Sequence, residues 1–118
     1  MYKRIIAIAA VLASIVSVEA SAQSMSYGYG GNSCGKYVVA SDLYKKNGDL
    51  DVQRYLDWAL GFVSALSLNI SQSLNNGVDY LRGKDIPSVQ MWLENYCRAN
   101  PMEAFNTAVL NLILELAK

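Results

Sequence analysis

No histidine occurs anywhere in this 118-residue sequence, and its absence removes the side chain on which nucleophilic triads, most zinc sites and most neutral-pH acid–base pairs depend. Charge is scarce as well, at 17% of residues, with 10 basic and 10 acidic side chains scattered along the chain. The densest basic pair is Lys45-Lys46, and no aromatic residues are interleaved with it as a single-strand nucleic-acid grip requires. Nucleic acid is therefore excluded as an expected partner. Only two cysteines and two prolines are present, and the cysteine spacing fits no zinc pattern. Gly28, Gly30 and Gly31 lack the flanking strand and helix of a phosphate loop. The carboxylate pairs Asp49/Asp51 and Asp79/Asp85 fall at helix starts or in loops, where capping and solvation account for them. The expectation is a protein that is not an enzyme, with no metal and no cofactor.

What is present begins with an export pattern. Lys3 and Arg4 precede an apolar run from Ile5 to Val18, and Ala20-Ser21-Ala22 supplies small residues for cleavage. Residues 1–22 read as a signal peptide, because the run falls short of the roughly 20 residues of a spanning helix. No membrane association is expected after cleavage. Of the 10 basic and 10 acidic residues, cleavage removes Lys3, Arg4 and Glu19, leaving 8 and 9 and a formal charge of minus one. The expected location is periplasmic or secreted, where disulfides form and persist, so Cys34 and Cys97 are expected to be bonded to each other.

Residues 23–33 are rich in Ser, Gly and Tyr and read as a flexible leader. Residues 34–118 read as a single helical domain. A short helix spans Cys34 to Lys46, with Tyr37, Val38, Ser41, Leu43 and Tyr44 as a loose inner stripe before Asn47-Gly48 stops it. Asp49 caps a longer one in which Val52, Tyr55, Leu56, Ala59, Val63, Leu66 and Ile70 share a face. Trp58, Gly61, Ala65 and Leu68 lie on its other side, so this helix is expected to be covered on both. Asn75-Asn76-Gly77 and Gly83 break the chain, leaving Asn75 to Asp85 as a connection. Pro87 opens a helix with Val89, Trp92, Leu93 and Tyr96 inward, ending near Ala99. Asn100-Pro101-Met102-Glu103 reads as N-cap, N1 and N3 of a last helix. Phe105, Ala108, Val109, Leu112 and Leu116 form its inner stripe, and Leu110 and Leu114 project outward as a candidate interface. The fold class is all-α, a compact bundle of about four helices pinned by one disulfide.

The order Cys34-Gly35, Tyr55-Leu56-x-Trp58-x-x-Gly61-Phe62, then Trp92-Leu93-x-Asn95-Tyr96-Cys97-x-x-Asn100-Pro101 and an aliphatic C-terminal helix resembles the Rap/Tai immunity proteins. These block peptidoglycan amidases delivered by type VI secretion, and the order also resembles the related HdeA-like periplasmic acid-stress chaperones. The resemblance covers Cys34 to Lys118. It implies an all-α periplasmic protein, often a homodimer, whose business is binding another protein, here a secreted amidase toxin. The alternatives are an acid chaperone and an envelope or phage-derived structural protein. Should the inhibitor reading hold, Asp79, Tyr80, Arg82 and Lys84 are the candidate partner-binding residues, because their segment is not committed to the helices.

Overall fold

The structure, a computed structural model, describes residues 27–118. The expected signal peptide and the first residues of the expected leader lie outside them. A 3-10 turn at Gly28–Gly31 leads into α1 (Cys34–Asn47), α2 (Asp51–Leu74), α3 (Ile86–Ala99) and α4 (Phe105–Leu116). Among the described residues the only β pairing is an isolated antiparallel bridge between Ser33 and Ala104.

Helix α1 starts where the Ser33 hydroxyl accepts the Lys36 amide at 3.2 Å. It stops at Gly48, whose φ of 75° only glycine adopts without strain. Its buried residues are Cys34, Tyr37, Ala40 and Ser41, whereas Leu43 and Tyr44, expected in the inner stripe, are exposed. The Cys34–Cys97 disulfide explains the difference. It joins the first turn of α1 to the last turn of α3 at a Cα–Cα distance of 4.7 Å, and so turns the face carrying residues 34, 37 and 41 toward α3. Across the same two helices Lys45 pairs with Glu94 and Asp42 with Arg98.

Helix α2 begins one residue later than its expected cap implies. The Asp49 carboxylate accepts the Asp51 amide at 2.9 Å, with Leu50 at the cap position. Val52, Tyr55, Leu56, Ala59 and Val63 are buried as the periodicity requires. Leu66 and Ile70 are only half-buried, because α2 has 24 residues and α4 only 12. At 1.5 Å per residue the longer helix outruns its partner by about 18 Å. The expected second covered face is absent: Gly61 and Ala65 are exposed, and Leu68 is 61% exposed. Only Trp58 on that side is covered, and what covers it is the segment expected to be a free leader.

From Tyr27 onward that segment is a strap laid across α2. Gly30 is buried beneath the Trp58 indole. Trp58 donates Nε1–H to the Tyr27 carbonyl at 3.2 Å. Tyr29 meets Tyr55 edge-on at 4.7 Å between ring centres, and its hydroxyl donates to Asp51 Oδ1 at 3.0 Å. A sequence poor in aliphatics is thus ordered by aromatic packing rather than by its own propensity.

The last helix differs most from expectation. It starts at Phe105, with Ala104 at the cap position and no side-chain cap, while Pro101 to Glu103 form a turn in which Met102 is 94% exposed. Tertiary hydrogen bonds override the local capping signal. The carbonyls of Pro101 and Glu103 accept the Gly35 and Cys34 amides at 2.9 and 2.7 Å, and the Asn32 carbonyl accepts the Phe105 amide at 2.7 Å. Helical geometry from residue 101 would turn those two carbonyls toward amides of α4 and leave the first amides of α1 unpaired in a buried place. Asn100 instead closes α3, its amide donating to the Tyr96 and Cys97 carbonyls. The Glu103 carboxylate accepts from the Tyr96 hydroxyl at 2.6 Å.

The core is a ring of Tyr37, Tyr55 and Phe105, with centroids 4.8 to 5.4 Å apart, extended by Val52, Val63, Leu93, Val109 and Leu112. Ile113 joins the α4 stripe, and Leu116 is half-buried. Leu110 and Leu114 are 45% and 67% exposed.

Candidate functional site

The connection between α2 and α3 is held in place by two serines of α2. The Ser71 hydroxyl donates to the Val78 carbonyl at 2.9 Å and accepts its amide at 2.8 Å, and the nearly buried Ser67 accepts the Tyr80 amide at 3.3 Å. Asp79 Oδ1 accepts the Leu81 amide at 3.1 Å, and Gly83 turns the chain with a φ of 72°. Asp85 then caps α3, one carboxylate oxygen taking the Ser88 amide at 2.8 Å and the other the Ser88 hydroxyl at 2.9 Å. Those bonds hold the Asp85 carboxyl below its ordinary pKa.

The connection is therefore not free of the core, as its composition suggested. Of the four candidate residues, Tyr80 packs partly against the core together with Leu81. Asp79 and Arg82 are solvent-facing and loosely paired at 4.0 Å. Lys84 stands apart from them, lining a cleft between α3 and α4 together with Ser88, Val89, Trp92, Leu112, Glu115 and Leu116. The cleft holds about 140 Å³, mostly against carbon. Trp92 stacks on Tyr96 at 5.4 Å with the rings 12° from parallel, and the Tyr96 hydroxyl is fixed by Glu103 and by Asn111 at 3.1 Å. Trp92 thus stacks on a ring that is itself hydrogen-bonded in place. The structure thus brings Lys84 to an apolar cleft, while Asp79, Tyr80 and Arg82 are not among the residues that line it.

Two further features had no distinct sequence signal. An open groove of about 660 Å³ runs between the strap, α1 and α2, lined among others by Tyr29, Lys36, Val39, Leu43 and Asp51. Val39 and Leu43 form its α1 wall and stay exposed. The second is the polar seam of α1 and α3. Burial pushes the Glu94 carboxyl upward in pKa, but hydrogen bonds from Lys45 and Arg98 and the Lys45 charge outweigh it, so the net displacement is below the ordinary value. Ser41 is fully enclosed, and its hydroxyl makes no hydrogen bond of normal geometry while still favouring the charged Glu94. Beside it Tyr37 donates to the Gln90 carbonyl at 3.4 Å, and burial, aided by the Glu94 charge, raises the Tyr37 pKa.

Among the described residues no three Cys, Asp or Glu side chains gather as a metal site, and no helix is long and apolar enough to cross a membrane. No family model matches the chain, and comparison with curated proteins and with solved structures returns no match. The chemistry of the surface therefore has to carry the functional reading.

Proposed function

We propose that this chain is an exported protein-binding protein, an immunity-type inhibitor that protects a Gram-negative periplasm from a peptidoglycan-cutting amidase. One observation carries the protein-binding part. A connection stitched down by Ser67 and Ser71 presents the exposed Lys84 at a small apolar cleft with a stacked aromatic wall. An apolar pocket for an anchor side chain, rimmed by polar groups and pre-ordered before contact, is the arrangement in which a few residues supply most of a binding energy. The choice of an amidase rests on the resemblance carried by Tyr55, Trp58, Gly61, Trp92, Tyr96 and Cys97, and the location on the export pattern of residues 1–22.

The test is co-expression with an exported amidase encoded beside this gene. The expected result is restored growth and a stable complex in which amidase activity is lost. Replacing Asp79, Tyr80, Arg82 and Lys84 together by alanine should weaken the complex while the oxidised fold persists. If the quadruple variant binds as tightly as the parent, the binding surface is elsewhere. If no complex forms with any amidase or other effector of the same genome, the inhibitor reading is wrong.

One observation favours the acid-chaperone reading as a second possibility. The α1–α3 seam pairs Asp42 and Glu94 with Lys45 and Arg98, and acid strong enough to protonate Glu94, whose carboxyl these partners hold below its ordinary pKa, weakens the seam. On that reading the protein opens at pH 2 to 3 and suppresses aggregation of an acid-denatured client. A protein that stays folded at pH 2 and protects no client excludes it.

A further inference from the structure

We infer that the cleft between α3 and α4 receives one apolar side chain of the partner protein, and that a side-chain carboxylate next to it in the partner's sequence pairs with Lys84. This rests on the protein-binding reading above and names the chemistry that the surface recognises.

Size and lining select the first half of the motif. About 140 Å³ walled by Val89, Trp92, Leu112 and Leu116 is well below the roughly 300–1,000 Å³ of a pocket for a cofactor or drug-sized ligand. It suits a single leucine, methionine or phenylalanine side chain. The Ser88 hydroxyl in the lining already donates to Asp85, and the remaining wall is mostly carbon, so a serine or asparagine placed there gains little in exchange for its lost water.

The charges on the rim select the second half. Glu115 is bound to Lys118 at 2.7 Å. Both oxygens of Asp85 are occupied by Ser88. The Asp79 oxygens serve the Leu81 amide and Arg82. Among the described residues around this cleft, Lys84 is the charged group with no ion pair within the chain. An ammonium has three donors and no acceptor, so the complementary group is a carboxylate. A basic residue at the same place meets an unneutralised like charge, which disfavours the wrong partner more than the right contact rewards the correct one.

The experiment uses the isotope-labelled, oxidised, exported protein and capped tetrapeptides at millimolar concentration, followed by NMR. One peptide carries a central leucine–glutamate pair, a second leucine–lysine and a third serine–glutamate. The leucine–glutamate peptide should move the Trp92 indole and the Leu112 and Leu116 methyl signals and bind about two- to fivefold more tightly than leucine–lysine, the range of an exposed ion pair. The serine peptide should not bind there. Lys84→Glu should reverse the preference, Lys84→Gln should abolish it without losing the leucine-dependent shifts, and Leu116→Trp, which fills the cleft from its half-buried rim, should abolish both. Thermal melts of each variant check that the fold is intact. Equal binding of the two leucine peptides to the parent protein overturns the assignment of Lys84. Shifts confined to the Val39–Leu43 groove, or no shifts at all, overturn the cleft. A full-length partner whose affinity ignores Lys84→Glu and Leu116→Trp defeats this inference while leaving protein binding standing. Peptide binding as described with no partner inhibited anywhere defeats the inhibitor reading alone.

Discussion

Replacing Gly30 by alanine tests whether the strap is a packed part of the fold. The ideal Cβ at this position lies 2.0 Å from Trp58 Cζ2 and 2.4 Å from Cε2 and Cη2, far inside van der Waals contact. The backbone at Gly30 is not in the left-handed region, so the substitution is opposed by space alone. The indole has two ways to respond. It can swing away and lose its hydrogen bond to Tyr27 together with its stacking on Phe62 at 5.2 Å. Otherwise the strap lifts, breaking the Phe105 amide to Asn32 carbonyl bond and the Tyr29–Tyr55 contact. At about 1 kcal/mol per hydrogen bond and 0.5 to 1.5 kcal/mol per aromatic pair, either route costs about 2 kcal/mol, within the 1 to 3 kcal/mol typical of overpacking. Urea denaturation gives the stability change, and hydrogen exchange at the Phe105 amide reports whether the strap has lifted. A double-mutant cycle supplies the control: in a Trp58→Ala background the obstacle is gone, and Gly30→Ala should change stability by less than about 0.5 kcal/mol. A Gly30→Ala protein as stable as the parent, with Phe105 still protected, refutes the packing described for the strap.

The disulfide closes 63 residues of sequence, so in the chain-entropy model its reduction should lower stability by about 4 kcal/mol and the melting temperature by ~15 °C or more; a drop of only a degree or two in calorimetry contradicts its pinning role. With no histidine to titrate, stability measured by urea denaturation should change little from pH 7 to 5. Because folding lowers the pKa of Glu94, its contribution is complete above the unfolded carboxylate value of about 4.3 and is lost as pH falls through the folded value. Glu94→Gln should accordingly be less stable than the parent at pH 7 and show a flatter decline below pH 4.5. Parallel pH profiles for the two proteins would show that the seam owes nothing to that charge.

Much of the fold was legible from periodicity and punctuation. The Val52–Val63 stripe of α2, the Asp85-x-Pro87 start of α3 and the Gly48 stop of α1 act through neighbours within one or two turns, so local spacing suffices to read them. The pairing of Cys34 with Cys97 was legible for another reason, since a chain with two cysteines has one intramolecular arrangement.

The tertiary structure alone decided the rest. Asn100-Pro101-Met102-Glu103 has the composition of a helix start, yet its carbonyls are taken by the amides of Cys34 and Gly35, more than sixty positions away. No local rule contains that competition. The glycines and tyrosines before Ser33 lack the apolar content to order themselves, and they order only because Trp58 and Tyr55 offer aromatic faces to lie against. The candidate site divides along the same line. Sequence placed Lys84 in a solvent-facing connection, but the cleft at its side is made by α3 and α4 meeting, from residues individually indistinguishable from core. Sequence determines which faces are apolar and where helices break, through interactions spanning a few residues. Which apolar faces remain uncovered, and which carbonyls answer which orphan amides, depends on how the helices pack across the whole chain.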